Sequence, residues 1–230
     1  MITFPFFLNT WEEYYTGELF LPLIHGVSEG MVIIAIAECI SGYYGPSFWF
    51  QKITVLGFTV QYNIAVSLGG LIAGIFFGLM SIFKVCRFLG RRFMEGLKDC
   101  IIYVLLVASY LFVLLCSDSV VVRRYPKILI LTYGFCFARL MSYLQLSHLM
   151  SSKFQPYTFS FLFPILTNLV HTIIYMITGS SIIFSIDTLI YFFLVWNFGL
   201  WCHFVYYVSE EMCNILNINR FSLGKRIKEQ

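Results

Sequence analysis

Metal-assisted and acid–base chemistry needs carboxylates, imidazoles or thiols converging at short spacing. The chain holds few such groups, and they are scattered. Its Asp residues are Asp99, Asp118 and Asp187, no two closer than 19 positions and none followed by Gly. The His residues stand far apart at 25, 148, 171 and 203. Cys39, Cys86, Cys100, Cys116, Cys136, Cys202 and Cys213 form no Cys-x-x-Cys pair. Most lie in apolar runs, so they read as small core hydrophobes rather than zinc ligands or disulfides. There is no P-loop and no His-Glu-x-x-His. The adjacent pairs Glu12–Glu13 and Glu210–Glu211 flank helical runs and read as solvated ends. The expectation is a chain with no catalytic residue and no metal site of its own.

The elements that must carry these groups are membrane helices. Of 230 residues, 59% are hydrophobic and 12% charged, about half the charged share of an average soluble domain. The fold class expected is all-α, an integral membrane bundle of about six transmembrane helices. They are expected near 27–45, 62–83, 100–116, 128–150, 158–178 and 182–208, since about 20 apolar residues cross the hydrocarbon. Residues 1–26 read as an interfacial N-terminal segment or the stump of a further helix, 27–208 as one bundle and 209–230 as a basic tail. The aromatic, acidic start has no basic region of the kind that opens a signal peptide.

Six spans put both termini on one side, together with ten basic residues against four opposite, so the positive-inside rule assigns that side to the cytosol or the mitochondrial matrix. The net charge of +3 is small. The basic residues gather in loops, as in 84–98, which suits anionic lipid headgroups and gives no nucleic-acid site.

Placed on those helices, Glu38, Arg139, Asp187, His171 and His203 fall at membrane depth, with Asn168 and Asn197 beside them. Each ionisable group there costs roughly 2.5–3.5 kcal/mol on insertion scales. Glu38 and Arg139 carry opposite signs in mid-helix, which suggests a buried ion pair fixing two helices in register. Gly70, Gly74 and Gly78 repeat every four residues, a small-residue ridge for close helix packing.

One run of residues has a family likeness. Trp11-Glu12-Glu13-Tyr14-Tyr15-Thr16-Gly17-Glu18-Leu19 resembles the Trp-Glu-x-Tyr-x-Thr-Gly-x-Leu segment of the CDP-alcohol phosphotransferases, which make phosphatidylcholine and phosphatidylethanolamine. Gly26-Val27-Ser28-Glu29-Gly30 resembles the Gly-Pro-x-Glu-Gly that follows, with Val27 in place of the Pro. Gly45-Pro46-Ser47-Phe48-Trp49 resembles the family's Gly-Pro-x-Phe-Trp. Looser likenesses at Leu146–Met150 and Asn214–Ile218 extend the match to about residue 221. In that family an upstream half carries Asp-Gly-x-x-Ala-Arg and further Asp residues that hold the metals binding the CDP pyrophosphate. No such motif occurs in these 230 residues. The resemblance therefore implies a C-terminal half without the catalytic half. Such a half would shape the chamber for diacylglycerol and the alcohol headgroup, with Tyr14, Gly17 and Glu29 as inherited chamber residues.

Three readings follow. The first is a non-catalytic, lipid-binding subunit of a larger membrane complex. The second is one half of a split choline/ethanolamine phosphotransferase, active only beside a chain carrying Asp-Gly-x-x-Ala-Arg. The third is a transporter or channel, which an internal repeat would support and none does. The partners expected are membrane lipids and other membrane subunits, without nucleic acid. No cofactor is expected beyond bound phospholipid, and magnesium only if a partner supplies the acidic motif. Both the mitochondrial inner membrane and the endoplasmic reticulum fit.

Overall fold

The computed structural model describes residues 3–18, 28–55, 58–116, 124–178 and 186–221. The chain packs as two compact units, Met1–Lys98 and Asp99–Gln230. Its helices are α1 (Thr3–Thr16), α2 (Ser28–Tyr44), α3 (Tyr62–Leu89), α4 (Phe93–Cys116), α5 (Pro126–Leu149), α6 (Phe159–Thr178) and α7 (Ile186–Leu216). Three stretches are long and apolar enough to cross a membrane: Tyr62–Leu114, Pro126–Leu149 and Ile190–Leu216. Val32–Tyr44 and Phe159–Ile174 are apolar but shorter. The architecture is that of an all-α integral membrane protein, with one small hairpin added.

The hairpin is a departure from expectation. β1 (Lys52–Val55) pairs antiparallel with β2 (Phe58–Gln61), with Ile53 opposite Val60 and Thr54 opposite Thr59. β-branched residues favour such a pleat. A lone two-stranded hairpin is marginal, and this one runs straight into α3, with the Tyr62 N–H donating to the Gln51 carbonyl at 3.1 Å.

In the first unit α3 is the central element. Residues 62–83 carry no charge, so 22 positions rise about 33 Å, enough for a hydrocarbon core of about 30 Å. The helix stops at Gly90, whose φ of 54° suits glycine and whose N–H returns to the Cys86 carbonyl. A 3-10 turn, Gly90–Arg92, then leads into α4. α1 packs along α3.

In the second unit α5 packs on α7. Phe135 meets Phe198 and Trp201, while Phe163 of α6 meets Trp196 of α7. α4 contributes Tyr103 against Phe137 and Tyr110 against Tyr133. Buried hydroxyls are answered within their own helices: Ser109 donates to the Leu106 carbonyl, Thr132 to Ile128, Ser147 to Tyr143 and Thr172 to Asn168. Such local bonds are how polar residues sit in apolar surroundings without a distant partner.

Candidate functional site

The Trp11–Gly17 run forms the end of α1, a helix whose side chains from Phe4 to Glu12 lock it to α3. In lipid, apolar area alone does not drive helices together; close packing and polar contacts do. Both are present. Gly78 of α3 admits Phe4 and Leu8: a Cβ there would lie 2.5 Å from the Phe4 ring and 2.8 Å from a Leu8 methyl. One turn on, Ser81 Oγ donates to Asn9 Oδ1 at 2.9 Å. Lys84 Nζ then donates to Glu12 Oε1 at 3.0 Å. This succession, residues 4–8 on 78, 9 on 81 and 12 on 84, makes α1 run parallel to the last turns of α3. Trp11 is fully buried, and Gly96 of α4 leaves room for it and Tyr15.

Glu12 corrects the reading of the Glu12–Glu13 pair as a solvated end. Its side chain is 4% exposed and bridged to Lys84, which is 35% exposed. The carboxylate is closed off, and the lysine stem reaches from it toward water. The expectation failed because Lys84 lies 72 positions away. Glu210 likewise has a partner, Arg220 Nη2 at 2.5 Å, whose guanidinium also lies over the Tyr206 ring.

Of the chamber residues that the resemblance implies, Tyr14 and Gly17 fall at the end of α1. Tyr14 is half-buried, edge-on to Tyr15. Gly17 ends the helix at φ 74°, its N–H donating to the Glu13 carbonyl at 2.9 Å. Thr16 Oγ1 donates to the Glu12 carbonyl at 2.8 Å. Glu29 lies in the first turn of α2, and its side chain lies outside the described residues. Trp11 Nε1 is buried with no acceptor among the described residues. Gly26-Val27-Ser28-Glu29-Gly30 also has Gly-x-Ser-x-Gly spacing. A nucleophile elbow joins a strand to a helix and has acid and base partners. Ser28 opens α2, and residues 19–27 lie outside the described residues, so the spacing stands without that context.

The Gly45–Trp49 run builds an aromatic cap at the far end of α2. Pro46 opens a 3-10 turn, Pro46–Phe50. Phe48 stacks between Tyr44 at 5.3 Å and Tyr62 at 5.1 Å, centroid to centroid. Trp49 Nε1 donates to Ser41 Oγ at 2.7 Å. The cap thus joins α2 to the start of α3, and it is filled by its own rings.

In the second unit Arg139 is the buried ion, 8% exposed on α5. It donates through Nη1 to the Ser160 carbonyl at 3.2 Å and through Nη2 to Ser160 Oγ, and its guanidinium lies 4.1 Å from the Phe161 ring centre. Glu38 is exposed on α2 of the first unit. Its pairing with Arg139 remains a proposal, and a Glu38→Gln/Arg139→Gln double-mutant cycle decides it: additive losses end it. Of the glycine ridge, Gly74 and Gly78 are buried and Gly70 has open space beside it. Asn197 is buried and donates to the Phe193 carbonyl, and His203 stacks on Tyr207. The side chain of Asp187 lies outside the described residues. No group of three metal-ligating side chains converges among the described residues.

Similarity to known proteins runs the length of this arrangement. Its relatives are CDP-alcohol phosphatidyltransferase class-I family proteins. Uncharacterized CDP-alcohol phosphatidyltransferase class-I family protein 3 of Dictyostelium discoideum is 26% identical over 96% of the chain and 61% of its own length. Choline/ethanolaminephosphotransferase 1 of Arabidopsis thaliana is 26% identical over 63% of the chain and 41% of its length. Cholinephosphotransferase 1 of Saccharomyces cerevisiae is 41% identical over 49 residues, 21% of the chain. No family model matches. The chain spans about 60% of the length of the Dictyostelium phosphatidyltransferase-family relatives, and the similarity extends through both units rather than resting on the α1 motif alone.

Proposed function

We propose that residues 1–230 are a non-catalytic, lipid-binding membrane scaffold of the CDP-alcohol phosphotransferase type, corresponding to the C-terminal half of such an enzyme. One observation carries the reading: a family-like wall, Trp11 to Trp49, accompanies a sequence whose three Asp residues are widely separated. Transfer of a phosphoalcohol group rests on positioning and on metal charge at the diphosphate. The positioning wall is in this sequence, whereas the Asp-Gly-x-x-Ala-Arg carboxylates are not. Tyr14, Gly17 and Glu29 would line the headgroup side of a diacylglycerol chamber, and α2, α3 and α6 present apolar faces to lipid. The scaffold works within a larger membrane complex, in the mitochondrial inner membrane or the endoplasmic reticulum.

The similarity to choline/ethanolaminephosphotransferases favours one second reading, a split enzyme completed by a partner chain that carries the acidic motif. Purification in mild detergent separates the two. The scaffold reading expects co-purifying phospholipid and no magnesium-dependent binding of CDP-choline by titration calorimetry. Stoichiometric capture of a chain bearing Asp-Gly-x-x-Ala-Arg, with CDP-choline binding only in the pair, selects the split enzyme. Magnesium-dependent binding of CDP-choline by the chain alone would overturn both.

A further inference from the structure

The turn joining α3 to α4 carries positive charge that the first unit does not answer. Arg87, Arg91 and Arg92 are exposed, and none makes an ion pair among the described residues. Glu95 is the one carboxylate between residues 84 and 98. Lys84 differs from these arginines, because it is bound to Glu12. Phe88 and Met94 flank the arginines at 62% and 68% exposure.

The turn is also held in shape. Gly90 ends α3 by returning its N–H to Cys86, the 3-10 turn follows at once, and α4 starts at Phe93. Beneath the turn, Gly96 fits closely against Leu89, Trp11 and Tyr15; a Cβ there would be 3.0–3.5 Å from all three. The uncharged run 62–83 already covers the hydrocarbon thickness. Arg87 and its neighbours therefore emerge at the lipid–water boundary, where a planar guanidinium can bind headgroup oxygens through two N–H donors.

We propose that this elbow is a binding surface for anionic phospholipid headgroups. Arg87, Arg91 and Arg92 engage the negative headgroup, and Phe88 and Met94 enter the acyl boundary beside them. The inference stands on the geometry of the first unit and needs no transferase chemistry. Charge complementarity selects the occupant: three unanswered cations favour a lipid of net negative charge over zwitterionic phosphatidylcholine.

The test uses the full chain in nanodiscs of phosphatidylcholine containing about one-fifth phosphatidylserine, with retained lipids counted by native mass spectrometry. The retained lipid is expected to be enriched in phosphatidylserine over the bulk by about fivefold or more. Arg87→Gln/Arg91→Gln/Arg92→Gln abolishes the enrichment, and the corresponding triple Lys variant keeps most of it. Wild-type enrichment falls as salt rises, an arm that needs no variant to fold. Inorganic phosphate leaves the bound lipid in place. Retention at the bulk ratio, an unchanged triple Gln variant or insensitivity to salt overturns the proposal. So does displacement by inorganic phosphate, or by polyglutamate, which would make the elbow an acidic-protein site.

Discussion

Glu12 in the first unit and Arg139 in the second are both ionised groups almost closed to solvent, and their surroundings differ in kind. Glu12 has a full counter-charge, supplied by Lys84 from a neighbouring helix. Arg139 is met by a carbonyl, a hydroxyl and an aromatic face. A carboxylate is strongly hydrated and compact, so closing it off calls for a cation. A guanidinium is weakly hydrated and planar, and neutral groups around its edge and face suffice. The first unit thus has a helix docked by opposite charges, and the second a cation held by shape. Neither arrangement contains the paired carboxylates that would grip a metal.

Substitutions at four places in the two units press on that contrast. The largest loss is expected for Lys84→Met, which strands Glu12: about 3 kcal/mol, the low end for a broken buried pair because Lys84 is partly exposed. Thermal unfolding in detergent measures it, and Glu12→Gln added to Lys84→Met restores most of the loss. Failure of that rescue would mean that the pair does not dock α1.

Arg139→Met is expected to cost about 2 kcal/mol by removing the two hydrogen bonds to Ser160 and the contact with the Phe161 ring. Here the charge-conserving swap sharpens the comparison. Arg139→Lys recovers little, since the fork and the ring contact are lost, while Lys84→Arg is tolerated. Equal tolerance at both sites would erase the distinction between the two units.

Gly78→Ala drives a methyl group into Phe4 and Leu8 and is expected to cost about 1–3 kcal/mol. Gly70→Ala, facing open space, stays within about 0.5 kcal/mol of wild type. The smallest effect concerns Tyr157, in the segment between α5 and α6. Burial, with Asp99 and Cys100 adding to it, raises its phenol above the ordinary range. The folded state therefore holds this proton longer than the unfolded chain. The contribution to stability is complete below the ordinary tyrosine range and fades as pH rises through the raised value. Asp99→Asn should lower the titration midpoint, read as ultraviolet difference absorbance against Tyr157→Phe; an unmoved midpoint removes Asp99 as a cause.

Much of the helical layout is legible in the sequence, because uncharged runs such as 62–83 admit little else in a membrane. The end of that helix is less so: the basic residues from Lys84 onward read as a loop after 83, yet the helix runs on to Leu89 and stops at Gly90. What escapes is pairing across distance. Ser160 lies 21 positions from Arg139, and Lys84 reads as one more member of a basic loop. The ridge reads as uniform, yet Gly78 meets Phe4 and Leu8 of α1 while Gly70 faces open space. The hairpin had a signal: Ile53, Thr54, Val55, Thr59 and Val60 are all β-branched. Flanked by long apolar runs, that short segment loses to the helical reading. The chamber proposed around Tyr14, Gly17 and Glu29 rests on resemblance alone, since nothing in Tyr14 or Gly17 by itself announces a headgroup.

The most direct trial of the scaffold reading is a transfer assay on the purified chain alone, in nanodiscs loaded with diacylglycerol, with labelled CDP-choline and magnesium. The account predicts label in phosphatidylcholine no higher than in protein-free discs. Magnesium-dependent, protein-dependent accumulation of labelled phosphatidylcholine would contradict it.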